Sequence, residues 1–140
     1  MPAIEKSVVT LRVGGDDLEP EEITRLLGVT PTHAHVKGEQ WSGEKPGRIY
    51  TRRSGLWRIS AADREPEDMN GQIQQLLGQL TVDLMVWREL ASRFEVDLFC
   101  GLFMKSGNDG MALSPESMTA LGERGITLIL DIYCGDDEEP

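Results

Sequence analysis

Two nine-residue stretches decide the predicted fold: Leu18-Glu19-Pro20-Glu21-Glu22-Ile23-Thr24-Arg25-Leu26 and Leu113-Ser114-Pro115-Glu116-Ser117-Met118-Thr119-Ala120-Leu121. They share the pattern Leu-x-Pro-Glu-x-apolar-Thr-x-Leu and lie 95 positions apart. Proline suits the first position of a helix because its missing N–H would have no acceptor there. The glutamates beside it favour the positive end of the helix dipole. Each stretch therefore predicts the start of a helix.

Strand-like segments flank both predicted helices. Residues 7–13 and 96–104 precede them, and both segments are rich in β-branched or apolar residues and end at turns that contain glycine. Residues 126–133 follow the second helix directly, whereas the strand after the first helix is delayed to residues 55–60. Between these units, apolar residues at helical spacing over 66–94 predict two inserted helices. Two strand–helix–strand units predict an α+β fold, a ferredoxin-like two-layer sandwich.

Length and charge exclude several classes of protein. The chain has 140 residues and a formal net charge of −10, which indicates a single domain over residues 1–133 followed by an acidic, disordered tail over 134–140. No apolar run approaches the ~18–20 residues of a membrane span, so no membrane partner is predicted. An acidic chain repels polyanions, so no nucleic-acid partner is predicted either.

The start of the chain and its cysteines predict a cytoplasmic protein. The first residues lack the apolar core of a secretory signal. Two cysteines, Cys100 and Cys134, are too few for a disulfide framework and are expected to stay reduced. Cys100 stands in an apolar run, where a free cysteine behaves as a small hydrophobic residue.

Residues 29–54 form a basic segment on an otherwise acidic chain. Five basic and two acidic side chains give this segment a local charge of +3, so the remainder carries −13. Arginine and lysine bind carboxylates and phosphates, so one interpretation is an anion site where the segment meets the sheet. The interpretation that we favour is that the segment neutralises the acidic helices, with Trp41 and Tyr50 fixing it to the core. The residues named next are those expected for an anion site. The predicted ligand contacts are Lys37, Arg48, Arg52, Arg53 and Trp57.

Strand alternation predicts a second surface. If Val9, Leu11 and Val13 face the helices, Thr10 and Arg12 face the other way, on a sheet face that no helix covers. Several apolar residues fall on that face and form the predicted interface. They are Leu56, Phe99, Phe103, Ile129 and Tyr133. Such a face needs a cover, and we expect either residues 29–54 or a second copy of the chain, with a small-molecule pocket under the segment as the third choice.

The two histidines, His33 and His35, raise an enzymatic alternative with Glu39 as their partner. In a strand, the His-x-His spacing places both rings on one face, but two ligands do not complete a metal site. No nucleophile elbow, Walker loop or His-Glu-x-x-His motif is present in the sequence. We therefore predict no catalytic residues, no metal and no cofactor.

Taken in order, short motifs along the chain resemble those of a bacterial family, the domain of unknown function 4279. The resemblance covers about residues 7–133 and implies a small, stand-alone cytosolic protein. The family has no established activity, cofactor or catalytic residue to carry over. The matching motifs are Leu11-Arg12-Val13, the Leu18–Thr24 stretch, Leu27-Gly28-Val29-Thr30-Pro31-Thr32, Lys37-Gly38-Glu39, Gly55-Leu56-Trp57-Arg58, Leu113-Ser114-Pro115-Glu116 and Leu130-Asp131-Ile132-Tyr133.

The function that these observations favour is a non-enzymatic cytosolic binding or protein-interaction domain that forms a homodimer. One alternative is a toxin-neutralising, immunity-type protein whose acidic surface would mask a basic protein partner. The other is a small anion-binding or hydrolytic enzyme that uses residues 29–54.

Overall fold

Four helices and seven strands form in a computed structural model that describes residues 3–134. The predicted acidic tail lies outside the described residues, apart from Cys134. In chain order the elements are β1 (Lys6–Gly15), α1 (Pro20–Leu27), β2 (His33–His35), β3 (Gln40–Ser42), β4 (Ile49–Thr51), β5 (Gly55–Ser60), α2 (Met69–Gln79), α3 (Leu84–Arg93), β6 (Glu95–Phe103), α4 (Pro115–Glu123) and β7 (Thr127–Tyr133).

Both predicted helix starts are confirmed. Helix α1 begins at Pro20 and α4 begins at Pro115. The Ser114 side chain caps α4 by accepting a hydrogen bond from the backbone N–H of Ser117 at 3.1 Å. Helix α1 ends at Leu27 and is capped by Gly28, whose φ of 90° lies in the left-handed region that glycine adopts without a steric penalty.

The strands form one five-stranded sheet and one two-stranded sheet. The order in the larger sheet is β2-β5-β1-β6-β7. Strand β1 is antiparallel to both β5 and β6, β2 is antiparallel to β5, and β6 and β7 are parallel. Among the strands of the described residues, β3 and β4 pair only with each other, as an antiparallel hairpin.

The ferredoxin-like prediction is wrong, because the two strand–helix–strand units are not equivalent. In the second unit, β6 and β7 are parallel neighbours. In the first unit, the strand that runs parallel to β1 after α1 is β2, and β5 is inserted antiparallel between them. The basic segment supplies β2 and the β3–β4 hairpin before the chain returns as β5. The result is a mixed α/β fold with five strands in its main sheet.

The hydrophobic core lies between the main sheet and the helices. Val9, Leu11 and Val13 are fully buried in it, which confirms the predicted alternation along β1. Trp57 of β5 is also fully buried, and its indole N–H donates to the Thr24 hydroxyl on α1 at 3.0 Å. The opposite side of the main sheet carries Thr10, Arg12 and their cross-strand neighbours, and we call it the open face.

Cysteine Cys100 belongs to this core. Burial raises the pKa of its thiol to about 12, with a smaller contribution from the Asp97 carboxylate. The thiol is therefore protonated at neutral pH and packs as an apolar group.

Candidate functional site

A cleft of about 860 Å³ opens at one end of the open face. Its floor includes Arg12 and Asp97, which are cross-strand partners on β1 and β6. One wall is the β3–β4 hairpin with the residues that follow it, and the other is the junction between α3 and β6 around Phe94. We call it the hairpin cleft. Clefts of this size hold small organic molecules.

The hairpin presents a stack of flat side chains to the cleft. The rings of Trp41 and Tyr50, which are cross-strand partners, stack with centroids 4.8 Å apart. The guanidinium carbon of Arg52 lies 4.4 Å from the centroid of Trp41. Backbone hydrogen bonds between Glu39 and Arg52 (2.8 Å) and between Gly38 and Arg52 (2.9 Å) extend the hairpin pairing to Arg52. Strand alternation then places its side chain on the same side as that of Tyr50.

Two buried nitrogen atoms in the lining of the cleft lack hydrogen-bond partners among the described residues. They are Nε of Arg52 and Nδ1 of His35. His35 is only 8% exposed. Most buried polar groups in proteins are hydrogen-bonded, and leaving one unpaired costs about 1–3 kcal/mol. The lining of the hairpin cleft therefore contains two buried polar atoms that are not hydrogen-bonded to any described residue.

Most charged side chains around the cleft are already paired. Arg12 holds Asp97 with two hydrogen bonds (2.8 and 3.2 Å). Arg52 and Arg53 form no ion pair with any residue between 3 and 134, although both line the cleft. Their positive charge is therefore available to a ligand. The other pairs at the margin are Lys37–Asp16 (3.1 Å) and Arg93–Glu22 (2.8 Å).

These ion pairs keep the nearby carboxylates ionised. The hydrogen bond from Lys37 lowers the pKa of Asp16, and the one from Arg93 lowers the pKa of Glu22. A carboxyl group whose pKa is lowered is a poor proton donor at neutral pH. Asp16 therefore acts as a fixed negative charge at the margin of the cleft.

Histidines His33 and His35 lie side by side on the open face of β2, with ring centroids 5.2 Å apart. Burial is the main cause that lowers the pKa of both rings, and the positive charge of an arginine adds to it, chiefly Arg58 for His33 and Arg52 for His35. Glu39 opposes this effect without reversing it. Both rings are therefore neutral at pH 7. Within residues 3–134, no three His, Cys, Asp or Glu side chains gather in a way that could hold a metal ion.

The predicted ligand contacts separate into three groups. Arg52 and Arg53 line the hairpin cleft, and Lys37 stands at its margin in the ion pair with Asp16. Arg48 lies exposed in the turn of the hairpin and does not line the cleft. Trp57 is buried on the helix side of the sheet, away from the cleft.

The predicted interface residues lie on the open face, where the strand register sets Phe99 beside Ile129 and Phe103 beside Tyr133. Leu56 lines the hairpin cleft, whereas the other four lie outside it. Phe103 and Tyr133 stack with ring centroids 4.7 Å apart. Arg12 covers the Phe99 ring at 4.5 Å. The hairpin wall therefore reaches only one end of the open face.

Sequence reasoning missed the wall that α3 and β6 contribute. Phe94 and Glu95 line the cleft there, about 40 positions after Arg52 and Arg53 in the chain. No local pattern links these residues, because the contact depends on β1 pairing with β6. His35 was singled out only for its spacing from His33, and its burial is visible only in the folded chain.

The fold and the cleft together define a small mixed α/β domain with a basic hairpin site. The family model for the domain of unknown function DUF4279 matches residues 5–135, so the chain belongs to this family and the resemblance is confirmed. No curated protein and no solved structure shows significant similarity to the chain. In the described part of the chain, the helices are too short or too polar to cross a membrane.

Proposed function

We propose that the protein is a binding domain that holds a small anionic ligand in the hairpin cleft. The observation that carries this proposal is that Arg52 is partly buried in the cleft and has no partner for its charge among the described residues. Its guanidinium is half-buried against Trp41, its Nε atom is buried without a hydrogen bond, and it has no ion pair within residues 3–134. An anion that accepts hydrogen bonds from this group would supply the missing partner.

The arrangement favours binding over acid–base catalysis. The carboxylates Asp16 and Asp97 are engaged by Lys37 and Arg12 and serve as fixed charges. A guanidinium stays protonated at all physiological pH values and presents a planar fork of donors. Such a fork matches the two oxygens of a carboxylate or a phosphate, and partial burial strengthens the contact by excluding water.

Arg52→Gln is expected to weaken anion binding at least about tenfold, because one charged hydrogen-bond donor contributes about 1.5–3 kcal/mol. The measurement is isothermal titration with benzoate, 2-naphthoate, phenyl phosphate and inorganic phosphate, after a thermal-shift screen of the same set. A ligand at 100 times its Kd should stabilise the wild-type protein by about 2.7 kcal/mol.

Arg48→Gln is the matched control for this test. It removes the same charge from the same segment at an exposed position outside the cleft. We expect it to change affinity by less than about twofold, because exposed charges are screened by salt. Equal losses in the two variants, or no binding of any tested anion, would contradict the proposal.

We also propose that two copies of the chain pair along β7. This strand lies at the edge of the main sheet and exposes Leu130 (47%) and Ile132 (55%). An edge strand offers unpaired backbone groups to another strand, and β7 contains none of the lysines or prolines that block such pairing. Antiparallel pairing centred on Leu130 sets Leu128 opposite Ile132 and Asp131 opposite Ile129, so no two acids face each other.

Ile132→Lys is expected to convert this dimer to a monomer, because it places a charge in the paired edge. Sedimentation equilibrium should give twice the chain mass of 15.6 kDa for the wild type and 15.6 kDa for the variant. Val82→Lys is the control, since Val82 is 76% exposed outside the sheet and should leave the dimer intact. A wild-type protein that stays at 15.6 kDa at high concentration would exclude the dimer.

A further inference from the structure

The unpaired charges at the hairpin cleft sum to a small positive value. Arg52 and Arg53 contribute two positive charges that have no ion pair among the described residues. Glu95, on the opposite wall, contributes one negative charge that is likewise unpaired there. The local balance is +1, and the chain outside residues 29–54 carries −13. A ligand with one negative charge matches this balance, whereas a second charge would be repelled by Glu95 and by the acidic remainder of the chain.

Beside uncharged polar residues such as Thr51, Ser54 and Ser92, the lining of the cleft contains large apolar side chains on both of its walls. Trp41 and Tyr50 stand on the hairpin side, while Leu56 and Phe94 lie on the sheet and on the α3–β6 junction. Trp41 remains 39% exposed, which is unusual for so large an apolar ring. Aromatic rings pack favourably against flat apolar surfaces in offset or edge-on arrangements. The cleft therefore offers apolar surface on both sides of its cationic group.

From these two observations we infer that the ligand is an organic monocarboxylate with a flat apolar body, and not a phosphate. Its carboxylate accepts hydrogen bonds from the Arg52 guanidinium, and its body lies between the Trp41 side and the Phe94 side of the cleft. This inference rests on the proposed anion-binding function and names the class of ligand for that same site.

The position of Arg52 explains how the carboxylate is oriented. Its guanidinium is held over the Trp41 ring, so the direction of its donors is set before a ligand arrives. A planar fork of donors pairs with a planar carboxylate through two parallel hydrogen bonds. A group that is already ordered loses less conformational freedom on binding, which favours affinity.

Three probes that share one ring system test the inference: 2-naphthoate, 2-naphthyl phosphate and the neutral 2-naphthalenemethanol. Titration calorimetry at pH 7.5 and constant ionic strength measures each affinity for the full chain. We expect 2-naphthoate to bind about tenfold more tightly than either of the others, since the phosphate adds a charge and the alcohol removes one.

Glu95→Gln tests whether Glu95 repels a second negative charge on the ligand, because it removes only the charge opposite the arginines. It should improve the affinity for 2-naphthyl phosphate relative to 2-naphthoate by about threefold. The effect is small because solvent and salt screen the repulsion between Glu95 and the phosphate. Glu116→Gln alters the net charge equally but lies exposed at the start of α4, outside the cleft. It should leave the ratio unchanged.

The outcomes separate the ligand class from the site. Equal or tighter binding of the phosphate would overturn the monocarboxylate and leave the anion site intact. The monocarboxylate would also be overturned, and the anion site kept, if no naphthyl probe binds while inorganic phosphate binds to the wild type and not to Arg52→Gln. Equal binding of the alcohol and 2-naphthoate would overturn both, because the cleft would then recognise the ring alone.

Discussion

Trp57→Ala is expected to lower the free energy of unfolding by about 3–5 kcal/mol, the range for truncating a large aromatic side chain in a core. Trp57 is fully buried between β5 and the helices. The substitution removes its packing, leaves a cavity and breaks the hydrogen bond from its indole N–H to Thr24. Typical domains are stable by about 5–15 kcal/mol, so the loss is a large share of the total.

Urea denaturation followed by circular dichroism measures this loss. Trp57→Phe is the milder variant, kept in case the alanine variant does not fold, and it should lose less stability because a smaller aromatic ring still fills part of the space. Trp41→Ala is the matched control. Trp41 is partly exposed in the hairpin cleft, so its removal should cost under about 1.5 kcal/mol and weaken 2-naphthoate binding instead. A Trp57→Phe protein of normal stability that loses the ligand would show that Trp57 is a contact.

Gln72→Leu is expected to lower the free energy of unfolding by about 2–4 kcal/mol, because several buried polar groups lose their partner at once. Gln72 lies on α2 and is fully buried. Its Oε1 atom accepts a hydrogen bond from the Ser7 hydroxyl at 2.6 Å. Its Nε2 atom donates to the backbone carbonyls of Ser7 (3.0 Å) and Ala62 (2.9 Å). The side chain therefore ties α2 to the central strand β1.

Gln74→Leu on the same helix is the control, since Gln74 is exposed, and it should shift stability by less than about 0.5 kcal/mol. Combining Gln72→Leu with Ser7→Ala tests the mechanism in a double-mutant cycle. The two losses should not add, because each single change already breaks the same hydrogen bond. Additive losses, or a Gln72→Leu protein as stable as the Gln74→Leu protein, would contradict this account.

The elements of the fold were more predictable than their arrangement. The helix starts at Pro20 and Pro115 depend on capping chemistry within one turn, and both were predicted correctly. The burial of Val9, Leu11 and Val13 follows from alternation along a single strand. The order of the strands was predicted wrongly, because it depends on how residues 29–54 route the chain between α1 and β5. That segment has short strands and weak periodicity, so it carries little local signal.

Only part of the candidate site was predicted, because local signals in the sequence do not show which residues the folded chain brings together. Charge counting along the chain singled out residues 29–54, and the structure brings Arg52 and Arg53 of that segment into the cleft. The same counting did not distinguish them from Arg48, which lies in the exposed turn. Sequence reasoning also assigned Trp57 to the site, although strand alternation, which places its neighbour Leu56 on the open face, places Trp57 on the helix side of the sheet.

The sequence by itself determined where the helices begin, which strand residues face the core, and that a basic segment interrupts an acidic chain. Each of these follows from forces that act within a few residues: capping, side-chain alternation and local charge. Only the tertiary structure decided that β5 separates β1 from β2 and that β6 lies beside β1. It also decided that Arg52 lies opposite Phe94 and Glu95 with no ion pair to any residue in the range 3–134. These outcomes depend on hydrogen bonds and packing between residues far apart in the chain, and their energies are realised only when the whole sheet has formed.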